Sequence, residues 1–255
     1  MYEPRLYRGN MNRERFRFFP STHLESDLLI GVPYDDFREE MIHTSFDELV
    51  RLRNLVTDFA EIHPSFATSL EPIQFSGSGM EDPAGQEIPA EIDTMIRCGI
   101  NSGTGPMSSV AGMFADRVGQ LLIKEYKLKE VVVENGGDLF LNIETEIVSV
   151  VHAGDSPLSD KMAFVITPGT WGVCTSSGTL GHSFSKGKAD AVTVIAKNTP
   201  LADSWATALA NRVSTPQDIK PVLEQVKQTE EISGCAIIVG EQVGIQGKFE
   251  LKLLS

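Results

Sequence analysis

Asp203 and Thr207 stand four residues apart in PLADSWATALAN (200–211). On a helix that spacing puts their β-carbons about 5–6 Å apart on one face. A carboxylate, a hydroxyl and a backbone carbonyl are hard oxygen donors. They suit Mg²⁺, which keeps several waters and completes its octahedron with substrate phosphates. A plainer role is open as well, in which Asp203 merely complements the dipole in the first turn of its own helix.

Three other stretches offer chemistry. In ENGGDLFLN (134–142), Asn135, Gly136, Gly137 and Asp138 follow Glu134. Asn135-Gly136 between apolar runs is a hairpin signal, because such turns need positive φ. Paired glycines also let a flat ligand come close to the backbone. The stretch GVCTSSGTLGHSFSKGKAD (172–190) supplies Thr175, Ser176, Ser177 and Gly178, hydroxyls and backbone donors of the kind that bind phosphate, with His182 further on. His182 is a candidate for proton transfer or an ordinary solvated loop histidine. In NSGTGPMSSVAG (101–112), small residues precede a helix expected to open at Pro106. Free N–H groups at such a start suit an anion, although no P-loop ending is present.

These residues need a frame. A chain of 255 residues buries roughly three-quarters of its unfolded surface without staples. Its 41% hydrophobic and 22% charged residues exclude a disordered or fibrous chain. A formal net charge of −13 argues against nucleic acid as a partner. No apolar run is long enough to cross a membrane. The segment 1–15 is basic but has no apolar stretch behind it, unlike a secretory signal. Three widely spaced cysteines suit a reducing compartment, so a cytoplasmic location is expected.

Residues 16–32 read as two short strands. From Asp35, the apolar residues Phe37, Met41, Leu49, Leu52, Val56 and Phe59 recur at helical spacing up to His63-Pro64. Residues 70–90, rich in Gly, Pro and Ser, read as a long loop. Strands are expected at 131–133, 139–143, 147–151, 162–166 and 191–196, helices at about 201–213 and 216–228, and three short strands at the end. Several strands follow one another directly, which predicts an α+β fold with a largely antiparallel sheet. Open sheet edges admit pairing with a second copy, so a homodimer is compatible with this plan.

Read together, GPMSSVAGMFADRVGQLL, VVVENGGDLFLN, GVCTSSGT and ADAVTVIAKNTPLADSWATALAN resemble the ApbE-like proteins. The best-known members are flavin transferases that use FAD to attach FMN to a threonine or serine of a target protein. The segments SDLLI and GPMSSVAG resemble a shorter, uncharacterised branch found in archaea and bacteria. The resemblance implies one T-fold-like domain over 1–255, with an FAD site near Gly136-Gly137-Asp138 and Thr175–Gly178. It places the magnesium ligands on Asp203 and Thr207. A protein acceptor or partner enzyme is implied too. Flavin transferases carry His-Ile-Ile-Asp-Pro-x-Thr-Gly where this chain has TLGHSFSKGK, with His182 but no Asp-Pro. Three readings follow. One is a Mg²⁺-dependent enzyme that transfers FMN or cleaves the pyrophosphate, and another is a non-catalytic nucleotide-binding or accessory protein. The third is a changed ligand: some relatives are loosely associated with sulfur assimilation, and Cys174 would then be the residue to serve it as a thiolate or would simply fill space.

Overall fold

Three tight hairpins, linked by longer connections, build the sheet that positions the site. The computed structural model describes residues 13–75, 87–178 and 187–254. Phe16–His23 (β1) and Ser26–Pro33 (β2) form the first hairpin. Val131–Asn135 (β3) pairs with β2 and with Asp138–Ile143 (β4). Then come Gly169–Ser176 (β7), Ala191–Ala196 (β8), Ile232–Val239 (β9) and Gln242–Gly247 (β10). They complete an eight-stranded sheet in the order β1-β2-β3-β4-β7-β8-β9-β10, with every neighbouring pair antiparallel. Ile147–Val150 (β5), Met162–Ile166 (β6) and Glu250–Leu253 (β11) make a separate three-stranded sheet in the order β11-β6-β5.

The alternation of side chains decides what covers each face. In β3, Val131 and Val133 join a core with Glu40–Ile62 (α1), Ala90–Ser102 (α3) and Val110–Tyr126 (α4). Val132 points to the opposite face and meets Met162, Phe164 and Ile166 of the small sheet. In β8, Val192 and Val194 meet Thr199–Ala210 (α5) and Ile219–Gln228 (α6), whereas Ala191 and Ile195 face the small sheet. Strands buried on both faces explain the unbroken apolar runs. The α+β fold with its antiparallel sheet is as expected.

The expected long helix is α1, which stops at His63 before the one-turn helix Pro64–Thr68 (α2). Four boundaries differ from expectation. Pro106 opens a 3-10 turn, Pro106–Ser109, and α4 begins only at Val110. The helix expected at 201–213 is Thr199–Ala210, started by the Asn198 side chain accepting from Leu201 N at 2.9 Å. Of the loop expected at 70–90, residues 76–86 lie outside the described residues, and α3 begins at Ala90. The stretch 172–176, whose Gly, Ser and Thr content reads as a flexible frame, forms the last five residues of β7.

That last difference has a packing cause. Helix α5 is buried nearly all round, with Ala202, Ala206, Ala208 and Ala210 against the sheet and its neighbouring helices. A Cβ on Gly172 would sit 2.4 Å from Thr199 Cα. Position 172 is therefore closed to any side chain, because a small-residue helix lies directly on the strand.

Candidate functional site

The tight seat of α5 brings Asp203 against two other elements. Its Oδ2 accepts from Gly112 N of α4 at 2.8 Å, and Ala111 N donates to the same carboxylate. Asp203 lies in the second turn of α5, so it does not serve its own dipole as the plainer role supposed. It fills the N-terminal end of α4, a helix with no side-chain cap at its own start. The anion expected at that helix start is thus supplied by the protein. The hydroxyls of the same stretch are used internally: Ser102 meets Thr104, Thr104 meets Ser108, and Ser109 donates to the Pro106 carbonyl.

Glycine at 112 is what lets Asp203 in. A Cβ there would lie 2.8 Å from Asp203 Cβ and 2.8 Å from the Thr199 carbonyl oxygen. Backbone cannot yield as a side-chain tip can. Gly112→Ala is expected to cost about 1–3 kcal/mol, read as a lower urea midpoint with an unchanged slope.

Asp138 comes from the other side. Glu134 to Asn135 ends β3, Asp138 starts β4, and the two-residue turn between them is Gly136 (φ 69°) and Gly137 (φ 102°). The sequence signal pointed to Asn135-Gly136 as the turn; the structure shifts it by one, because Asn135 pairs with Asp138 in the ladder. Asn135 instead donates from Nδ2 to the Ala111 carbonyl at 3.1 Å, and Glu134 Oε1 accepts from Gly137 N at 2.9 Å. Both glycines need left-handed backbone that other residues resist.

Asp138 pairs in register with Cys174 of β7, and Gly137 lies beside the Thr175 carbonyl, 3.7 Å from where a Cβ would stand. The Gly-Gly-Asp turn and the Thr-Ser-Ser-Gly stretch therefore meet at one end of the sheet. Thr175 Oγ1 bonds Thr193 Oγ1 at 2.9 Å, while Ser176, Ser177 and Gly178 continue past it. Gly178 N donates to the Ala189 carbonyl, which anchors the far side of the segment. Thr207 lies half-buried one turn after Asp203 on α5. His182 lies outside the described residues.

The electrostatics of this corner are lopsided. Asp138 and Asp203 are buried, with Glu134 close by, and among the described residues no Lys, Arg or His forms an ion pair with either aspartate. Burial pushes the Asp203 carboxyl up to about 7, against the pull of the Gly112 and Ala111 amides. Burial, and then the charge of Asp203, push Asp138 well above the usual carboxylate range. Asp116, whose Oδ2 accepts from Gln120, is raised by burial as well. Cys174 is wholly buried, its thiol 3.5 Å from the Thr199 carbonyl and raised by burial and by Asp138 and Asp203. A thiolate would need a positive neighbour; here the neighbours are acids, so the structure speaks against Cys174 as a reactive sulfur.

Among the described residues no three His, Cys, Asp or Glu side chains are grouped to chelate a metal. Asp203 with Thr207 is a sparse oxygen donor set. Sparse sets suit an ion that draws its remaining ligands from water and phosphate. Two buried carboxylates, Asp138 and Asp203, with no cation partner among the described residues are also what a divalent ion would relieve, so the residues present fit Mg²⁺.

Beside this corner lies a cleft of about 600 Å³ between α1, the β1–β2 hairpin and the first turn of α4. Asn135 and Ala111 border it, so it opens onto the site. Sequence reasoning missed it, because its walls come from segments far apart in the chain. No helix of the described residues is long and apolar enough to cross a membrane.

Residues 8–245 match a family described as AbpE bacteria. A UPF0280 protein of Methanococcus aeolicus is 36% identical over 231 residues, covering 88% of this chain and 88% of that one. A UPF0280 protein of Methanothermobacter thermautotrophicus is 37% identical over 228 residues, covering 87% and 84%. Among solved structures, the ApbE protein of Thermotoga maritima superposes with a TM-score of 0.54 at 12% identity, over 90% of this chain and 96% of that one. At that identity the likeness is one of fold.

Proposed function

The chain belongs to the AbpE bacteria family, and we propose that it is a Mg²⁺-dependent protein that binds FAD or a related pyrophosphate and cleaves it by transferring FMN to a hydroxyl. The observation that carries this reading is the buried Asp138–Asp203 pair, without a cation partner among the described residues, set against the Gly136-Gly137 turn. Asp203 and Thr207 would hold the metal, which supplies neutralisation of pyrophosphate charge when bound. Gly136 and Gly137 leave the backbone open to the ligand. Thr175, Ser176 and Ser177 bring hydroxyls that would face the phosphate oxygens, and Gly178, whose N–H is bonded to the Ala189 carbonyl, holds the end of that segment in place.

In the transfer, the acceptor oxygen forms a bond to the FMN-side phosphorus. The bond from that phosphorus to the bridging oxygen breaks, and AMP leaves with the electron pair. The acceptor's proton passes to a base, for which His182 is the candidate. A protein hydroxyl and a free hydroxyl are both chemically competent acceptors. Asp138, whose carboxyl is raised by burial and by the charge of Asp203, would line the ligand beside the Gly136-Gly137 turn.

The test is a fluorescence titration with FAD, once with Mg²⁺ and once with EDTA, followed by analysis for AMP. Metal-dependent binding with AMP release is expected. The missing Asp-Pro stretch favours a second reading, a binding or accessory protein, and binding without AMP would select it. No binding in either buffer would reject the flavin reading.

A further inference from the structure

The cleft beside the acid corner is chemically two-sided. Val56, Ala60, Met107, Val110 and Phe114 give it an apolar wall, and Arg53 of α1 supplies a cation. Register fixes where that cation sits. Leu28 of β2 pairs with Asn135, so Ser26 and the β1–β2 turn lie at the same sheet end as the Gly136-Gly137 turn.

Arg53 is only partly used. Its Nη1 donates to Ser26 Oγ at 2.9 Å, and Nη2 donates to a single oxygen of Glu25. Its Nε–H is buried and has no acceptor among the described residues. Nε and Nη2 together form the edge of the guanidinium that grips a carboxylate or phosphate with two parallel bonds. Glu25 fills that edge through one bond only. The Glu25 side chain is 81% exposed, against 22% for Arg53. Its neighbour Leu24, at φ 53° and 75% exposed, adds no packing to hold the turn in place. Glu61, the other acid at the cleft, lies eight residues further along α1, about 12 Å away along the axis.

We propose that Arg53 is the anion anchor of the ligand cleft and that Glu25 is its internal stand-in, displaced when a planar ring compound bearing a phosphate or carboxylate enters. The ring lies on the apolar wall, the anion takes the Nε/Nη2 edge with two bonds, and Glu25 swings into water. This rests on the flavin reading only for the identity of the ring system. It gives a chain of net charge −13 a local means of accepting an anion.

The experiment compares two matched probes, 1-naphthyl phosphate and uncharged 1-naphthol, by calorimetric titration of the full chain. For the unaltered protein the phosphate is expected to bind about tenfold more tightly. In Glu25→Gln, where the exposed position puts no folding at risk, that preference should widen severalfold. In Arg53→Gln it should vanish while naphthol binding stays. Failure of either probe to bind, an unchanged preference in Arg53→Gln, or a reduced one in Glu25→Gln overturns the assignment. Competition with FMN separates the two ideas: naphthyl phosphate bound in the predicted pattern but not displaced by FMN leaves Arg53 as anchor and sinks the flavin reading.

Discussion

Asp203→Asn is expected to weaken Mg²⁺-dependent FAD binding by at least about 100-fold while leaving a folded protein. The asparagine keeps an oxygen that can accept from Gly112 N, so the start of α4 retains one of its two side-chain acceptors from α5. What it loses is the negative charge on which the metal would depend. Asp203→Ala is the worse test, since it strips both amides of their partner in a buried place, at about 1–3 kcal/mol for each donor. That variant confounds unfolding with lost binding. Thr207→Val, on the same face of α5 and half-buried, removes a neutral ligand and should cost about tenfold. Both variants are compared by FAD titration in Mg²⁺ and in EDTA. If the Asp203→Asn variant binds FAD in Mg²⁺ as tightly as the unaltered protein does, the metal assignment is wrong, and Asp203 is a helix cap alone.

That alternative shows what the sequence could and could not convey. The four-residue spacing of Asp203 and Thr207 and the paired glycines were legible, because both are local patterns with a local meaning. So were α1, whose buried Met41, Leu49, Leu52, Val56 and Phe59 keep strict helical spacing, and the hairpins. The partner of Asp203 was not legible. Gly112 is 91 positions away, and only the packing of α5 against α4 brings it within bonding distance. Helix α3 was overlooked although Ile92, Met95, Ile96 and Gly99 repeat at helical intervals and Gly103 ends it at φ 78°. Its signal was present, but the Gly- and Pro-rich stretch just before it masks where it starts. Strand β7 was hidden for a physical reason: its Gly172 and Cys174 are chosen for the approach of a helix and not for the strand itself. Arg53 carries no motif at all, and its role depends on α1 crossing the first hairpin.

The metal-free protein is expected to lose stability between about pH 5 and pH 8, opposite to the trend of a protein held by salt-bridged carboxylates. Asp203 titrates at about 7 in the folded chain against an ordinary 3.8 when unfolded. Between those values the folded state holds a proton that the unfolded state has released. The resulting stabilisation is fully present below about 4 and disappears as pH rises through 7. It amounts to a few kcal/mol, or roughly 5–10 °C in Tm for a chain this long. Asp138 is displaced in the same direction and adds with the same sign. Glu91, Glu130 and Asp218, whose pKa values are lowered, act in the opposite sense only below their ordinary range, so they leave this window clear. A divalent cation and a proton compete for the same buried charge. Mg²⁺ should therefore raise Tm at about pH 8 and do little at about pH 5, and Asp203→Asn should flatten the slope and abolish the metal effect together. Melting curves at the two pH values, with Mg²⁺ and with EDTA, measure all of this. A flat apo profile would mean that water or a cation already reaches the pair, and a Mg²⁺ shift of equal size at both pH values would place the ion elsewhere.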